Sequence, residues 1–189
     1  LDLHASRSFF LTMKESIDII LITDQTTWES IVQKAEQTEC SGCIIKFYRK
    51  ELLLDARIDP ERLKALCAHQ LSHMLIRETL VTTLSPAHQI PLWLEEGFAQ
   101  HMNPLEEFVM PAKKLRDAVQ KNYYVKLLDL LACRSIPADT AQKSFFYAES
   151  ASLVSFILTT YGPTRFKEFM YAYCTTYHTM APQTKEPSR

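Results

Sequence analysis

The dipeptide Asp59-Pro60 divides the chain into two kinds of pattern, and this change constrains the fold more than any other feature of the sequence. Before it, apolar residues come in short runs rich in β-branched and aromatic side chains. After it, they recur at helical spacing. Asp is a natural N-cap and Pro suits the first helical position, so a helix starts here. Leu63, Leu66, Cys67, Leu71, Met74 and Leu75 then mark one apolar face of that helix.

Upstream, residues 8–13 and 17–23 flank the polar Lys14-Glu15-Ser16, which predicts two strands joined by a turn. Thr26 or Thr27 is placed to cap a helix through Ile31 and Ala35, and Gly42 precedes a further strand at 43–48. Downstream, residues 82–91, with Pro86 and Pro91, read as a loop. A helix over 93–101 follows, to be ended by Pro104 or Pro111. Residues 113–120, 125–132 and 141–161 keep the helical period, Gly162-Pro163 is a stop, and a last helix runs from 165 to about 173. The chain is thus α+β, a small N-terminal mixed sheet followed by a helical body. Residues 1–180 form one domain and 181–189 a polar, frayed tail.

Composition removes several function classes. With 189 residues, 47% of them hydrophobic and 23% charged, the chain can bury a core of its own. A net charge of −1 provides no field for nucleic acid or an anionic membrane. The three glycines, Gly42, Gly97 and Gly162, lie too far apart for a dinucleotide or P-loop fingerprint. No apolar stretch reaches the length of a membrane span. Five cysteines, an odd and scattered set, favour a reducing, cytoplasmic setting over a disulfide scaffold. Cys40 and Cys43 form a C-x-x-C without the second half of a four-thiolate site, so a structural reading outweighs redox sensing. A start at Leu1 rather than Met leaves room for a targeting segment upstream.

Chemistry gathers in two places. His69-Gln70-Leu71-Ser72-His73 lies within the helix that begins near Pro60, where residues four apart share a face, so both imidazoles can converge on one metal ion. Alone, that pair is a weak signal. Pro91-Leu92-Trp93-Leu94-Glu95-Glu96-Gly97-Phe98-Ala99 supplies the carboxylate to complete the set. The 22 residues at positions 74–95 are enough for the first helix to finish, the chain to reverse and a second helix to bring Glu96 against the histidines. Two histidines and a glutamate leave a fourth position open for water, as a catalytic zinc site requires.

These two segments resemble the gluzincin zinc metallopeptidases, the superfamily of thermolysin and aminopeptidase N, and most closely the small bacterial peptidase MA-like domains. The family pattern A-H-E-x-x-H followed by P-x-W-L-x-E-G-x-A is met by Ala68 to His73 and by Pro91 to Ala99. The segment from Tyr147 to Val154, with Tyr161-Gly162, is similar to the family's later helix. The resemblance implies a zincin-like fold, a Zn2+ cofactor held by His69, His73 and Glu96, and a peptide or protein substrate. It also implies that strand 43–49 is the edge strand along which an extended substrate lies.

One position departs from the pattern. Gln70 stands where the family has the Glu that accepts a proton from the attacking water, and an amide cannot act as that base. The site should bind zinc and turn over little or nothing. Two origins fit: a Glu-to-Gln exchange that silences an active peptidase, or a natural pseudopeptidase that uses the groove for binding. Around the site, Glu95 competes with Glu96 as ligand, because one residue turns a helical side chain by about 100°. Gln100 and His101 are candidates to hold a ligand by hydrogen bonds. Tyr147 is a candidate oxyanion stabiliser on the resemblance and, among the apolar residues Phe145, Phe146, Ala148 and Leu153 of its helix, equally reads as a core aromatic. Trp28 and Trp93 read as core anchors.

Overall fold

The computed structural model describes residues 16–34, 42–81, 90–103, 110 and 112–180. In order, these form β1 (Asp18–Ile22), α1 (Gln25–Lys34), β2 (Cys43–Lys46), a 3-10 turn (Phe47–Arg49) and β3 (Glu51–Asp55). The helices α2 (Pro60–Val81), α3 (Leu92–Met102), α4 (Ala112–Gln120), α5 (Leu127–Ala132) and α6 (Thr140–Met180) follow. The architecture is α+β, a three-stranded mixed sheet leading into a helical body.

The sheet has the order β1-β3-β2. β3 pairs parallel with β1, with Asp18 opposite Glu51, and antiparallel with β2, with Cys43 opposite Leu54. As the central strand, β3 is covered on both faces: Leu52 and Leu54 pack with Leu66 and Cys67 of α2, and Leu53 packs with Trp28 of α1. A strand buried on both sides reads as an unbroken apolar run, which is why Glu-Leu-Leu-Leu-Asp shows no alternation and was not expected as a strand.

Other expectations need adjustment. The run at 43–48 is extended only to Lys46, because Phe47–Arg49 tightens into a 3-10 turn that ends at Lys50 with φ 53°. α1 is capped by Asp24 rather than by Thr26 or Thr27. Its Oδ2 accepts from the Thr27 amide at 2.7 Å and from the Thr26 hydroxyl at 2.6 Å. A carboxylate one turn earlier meets the free amides at the helix start better than either hydroxyl. Gly162 (φ 78°, ψ 168°) breaks α6 as expected, but the helix restarts at once through Pro163 and reaches Met180. The expected strand at 8–13, the loop at 82–89, Pro104, Pro111, Cys40 and the tail lie outside the described residues.

α2 begins as its sequence requires: Asp59 Oδ1 accepts from the amides of Glu61 at 3.0 Å and Arg62 at 3.1 Å. α3 runs through the middle of the helical body, and all of its residues from Trp93 to Gln100 are buried. The main core joins α2, α3 and α6 through Ile76, Leu80, Trp93, Phe98, Val154 and Phe166. A helix enclosed on all sides has no solvated face for its polar residues. Glu95, Glu96 and Gln100 are therefore held inside the protein. No helix of the described residues is long and apolar enough to cross a membrane.

Candidate metal centre

His69 and His73 lie one turn apart on α2, each 2% exposed, with their Nε2 atoms 3.3 Å from one another. Their rings meet edge-on at a centroid separation of 5.0 Å. Glu96 enters from α3, with Oε2 3.7 Å from His73 Nε2. One ligand atom from each of the three side chains fits within a group spanning 4.8 Å.

Each imidazole is turned toward this point by what its other nitrogen does. Nδ1 of His69 lies 3.0 Å from the carbonyl oxygen of Asn103, which can only accept. Nδ1 therefore carries the proton and Nε2 its lone pair. Asn103 stands just past the end of α3, and its side-chain amide donates to the Ala65 carbonyl of α2 at 2.7 Å, which fixes that carbonyl's aim. Nδ1 of His73 lies 3.3 Å from Glu95 Oε1, and an ionised carboxylate again leaves Nδ1 as the donor. Glu95 is in turn held by Arg77, whose Nε donates to Oε1 and whose Nη2 donates to Oε2 at 3.0 Å.

Electrostatics agree with this arrangement. Burial, joined by the neighbouring His73, pushes the His69 imidazole down to about 4 despite the opposing pull of the Asn103 carbonyl. It is neutral at pH 7, the form that ligates a metal. For Glu95, burial favours the neutral acid, but the hydrogen bond and charge of His73, with those of Arg77, outweigh it and hold the carboxyl below the usual range. Two imidazole Nε2 atoms 3.3 Å apart beside a buried carboxylate repel one another unless a cation or a proton lies between them. The donor set therefore fits a metal ion.

The structure brings His69, His73 and Glu96 together and puts Glu95 behind His73, so the two adjacent glutamates serve opposite sides of one imidazole. Gln70 is buried beside His69 on α2. Gln100 is buried one turn beyond Glu96, and His101 is half-buried with its imidazole pushed down by burial. Tyr147 lies on α6 within the main core, 2% exposed, its ring edge-on to Phe146 at 5.6 Å. Cys43 is in a disulfide at the start of β2.

Sequence reasoning missed Arg77 and Asn103. Arg77 had a visible signal, since 69, 73 and 77 recur every four residues along one helical face. Asn103 had none, because it acts through a backbone carbonyl.

No curated protein and no solved structure matches the chain. The model of one family, the Peptidase MA superfamily, matches residues 56–181, from just before α2 to just past the end of α6. That span holds both histidines, the glutamate helix and the helix packed against it. On this match over two thirds of its length, the chain belongs to the Peptidase MA superfamily.

Proposed function

We propose that this chain is a gluzincin-type zinc metallopeptidase scaffold, and that with Gln70 in the place of the general base it hydrolyses peptides poorly or not at all. One observation carries the reading: two Nε2 atoms 3.3 Å apart, each with its Nδ1 committed elsewhere, face the Glu96 carboxylate. Zn–N bonds of about 2.0–2.1 Å in a tetrahedral site imply a ligand-to-ligand edge of about 3.3 Å, so the nitrogen spacing suits zinc.

Zinc bound there supplies Lewis-acid polarisation of the scissile carbonyl and activation of water. The chain's own residues have separate tasks. His69, His73 and Glu96 hold the metal. β2, which among the described residues pairs only with β3, offers its other edge to an extended peptide backbone. Tyr147 is the proposed hydroxyl donor to the oxyanion. A Glu at position 70 would take the proton and pass it to the leaving amine, whereas the Gln70 amide can orient water but cannot hold a proton.

The test has two stages. Elemental analysis of the purified chain should find about one zinc per chain, lost in His69→Ala and in Glu96→Ala. With zinc bound, Gln70→Glu should cleave members of a varied peptide library, and Tyr147→Phe in that background should lower kcat more than it raises KM. Zinc without cleavage by Gln70→Glu would favour the natural pseudopeptidase, a peptide- or protein-binding domain. Absence of zinc from a chain purified without chelators would overturn both the site and the activity.

A further inference from the structure

We propose that Arg77 is a positioning residue of the metal centre, acting on His73 through Glu95 and braced by Phe47. The inference rests on the metallopeptidase reading and adds to it a residue outside the ligand set.

Arg77 stands one turn after His73 and two turns after His69 on α2, and its guanidinium reaches across to α3. Both oxygens of Glu95 receive a donor from it, Nε to Oε1 and Nη2 to Oε2. This is the planar two-point grip that fixes a carboxylate's rotation as well as its place, which a lysine cannot reproduce. Glu95 is 5% exposed, and a buried carboxylate keeps its orientation only while its oxygens are engaged. Oε1, gripped by Arg77 Nε, is also the oxygen on which His73 Nδ1 rests at 3.3 Å. The angle of the His73 ring, and hence the aim of its Nε2, is therefore set from Arg77.

Arg77 is itself held on its open side. Its Cζ lies 3.9 Å from the centre of the Phe47 ring, so the guanidinium is stacked on one face and bonded along one edge. Phe47 belongs to the turn that joins β2 to β3. The next residue of α2, Glu78, meets Lys50 of that same turn at 3.5 Å. Arg77 thus joins three parts of the molecule: the end of the edge strand, the glutamate helix and the histidine helix. His69 has a separate Nδ1 partner, the Asn103 carbonyl, so its tautomer provides an internal control.

The experiment compares the parent chain with Arg77→Met, Arg77→Lys, Glu95→Gln and the Arg77→Met/Glu95→Gln double variant. Circular dichroism is used to confirm that each is folded. Zinc affinity is read by competition with a chromophoric chelator. Imidazole 15N shifts of the metal-free chains are read by NMR. Arg77→Met should weaken zinc binding about 10- to 100-fold, the usual effect of losing a partner that orients a ligand, with part restored by Arg77→Lys. The double variant should be no weaker than Glu95→Gln alone. In the metal-free parent, His73 should be the Nδ1–H tautomer, and in Arg77→Met a mixture, while His69 stays the Nδ1–H tautomer.

Parent-like affinity in Arg77→Met, an unchanged His73 tautomer, or an equal loss in the Glu95→Gln background would each overturn the inference. Failure of the parent to bind zinc would instead overturn the metallopeptidase reading. The tautomer measurement would still decide whether Arg77 orients His73.

Discussion

Gly97 of α3 lies so close to Ser150 of α6 that a Cβ on it would stand 2.5 Å from the Ser150 carbonyl oxygen, and 2.9 Å from Val154 Cγ2. The obstacle is backbone, which cannot swing aside. On an exposed helix, Gly to Ala gains about 1 kcal/mol in helix propensity. Here the two helices must part instead, and Glu96 is the neighbouring residue. Gly97→Ala should therefore destabilise the chain by about 1–3 kcal/mol, the usual cost of overpacking. It should also weaken zinc binding by moving Glu96 away from His73. Urea melts and chelator competition on the same samples check both parts. A stabilised variant with unchanged affinity would show that the two helices need not be this close.

Acid sensitivity of the metal-free chain follows from His69. Its imidazole titrates near 6.5 when unfolded and at about 4 when folded, because burial and His73 oppose its charge. Between those values the unfolded chain binds a proton that the folded chain refuses. Stability from this group is therefore complete above about pH 6.5 and is lost as pH falls toward 4. From pH 7 to pH 5 the metal-free chain should lose about 2 kcal/mol from this group. His69→Asn should remove that part of the slope. Urea melts of chelator-treated protein across the window measure it, and equal slopes in parent and variant would show that His69 is not the source.

Much of this was legible because it is periodic or punctuated. The helix carrying the histidines followed from Asp59-Pro60 and a regular apolar spacing, and the break in α6 followed from Gly162-Pro163. β3 was hidden because a strand enclosed by α1 on one face and α2 on the other loses the alternation that marks strands. The grouping of His69, His73 and Glu96 was readable from spacing and resemblance. The task of Glu95 was not, since its partner Arg77 lies 18 residues away and meets it only after α2 and α3 pack. Spacing along one helix is present in the sequence, whereas a contact between two helices depends on how they cross.

The start of α2 provides a test separate from the metal. Asp59 Oδ1 satisfies two amides that the helix itself leaves without partners, those of Glu61 and Arg62. Asp59→Ala should cost about 1 kcal/mol, the usual value for a lost N-cap carboxylate. His69 lies almost three turns further on, anchored by Asn103, so zinc affinity should be unchanged. A combined loss of stability and affinity would mean that the histidines depend on the first turn of α2.

Thiol chemistry reports on the packing of α6. Cys174, fully buried in the main core, has its thiol pushed up to about 12 by burial and by the nearby charge of Glu95. The thiolate is the reacting form, so at pH 8 this side chain is both shielded and protonated. Cys133 is half-buried and its Sγ rests on the Ser135 carbonyl at 3.0 Å, where reagent has easier access. Brief treatment of the native chain with iodoacetamide should label Cys133 well before Cys174, and denaturant should make the two equal. Peptide mapping by mass spectrometry reads the ratio. Equal labelling in the native chain would mean that the segment of α6 beyond Gly162 opens from α3 on the timescale of alkylation, and that the wall behind Glu95 is open to solvent.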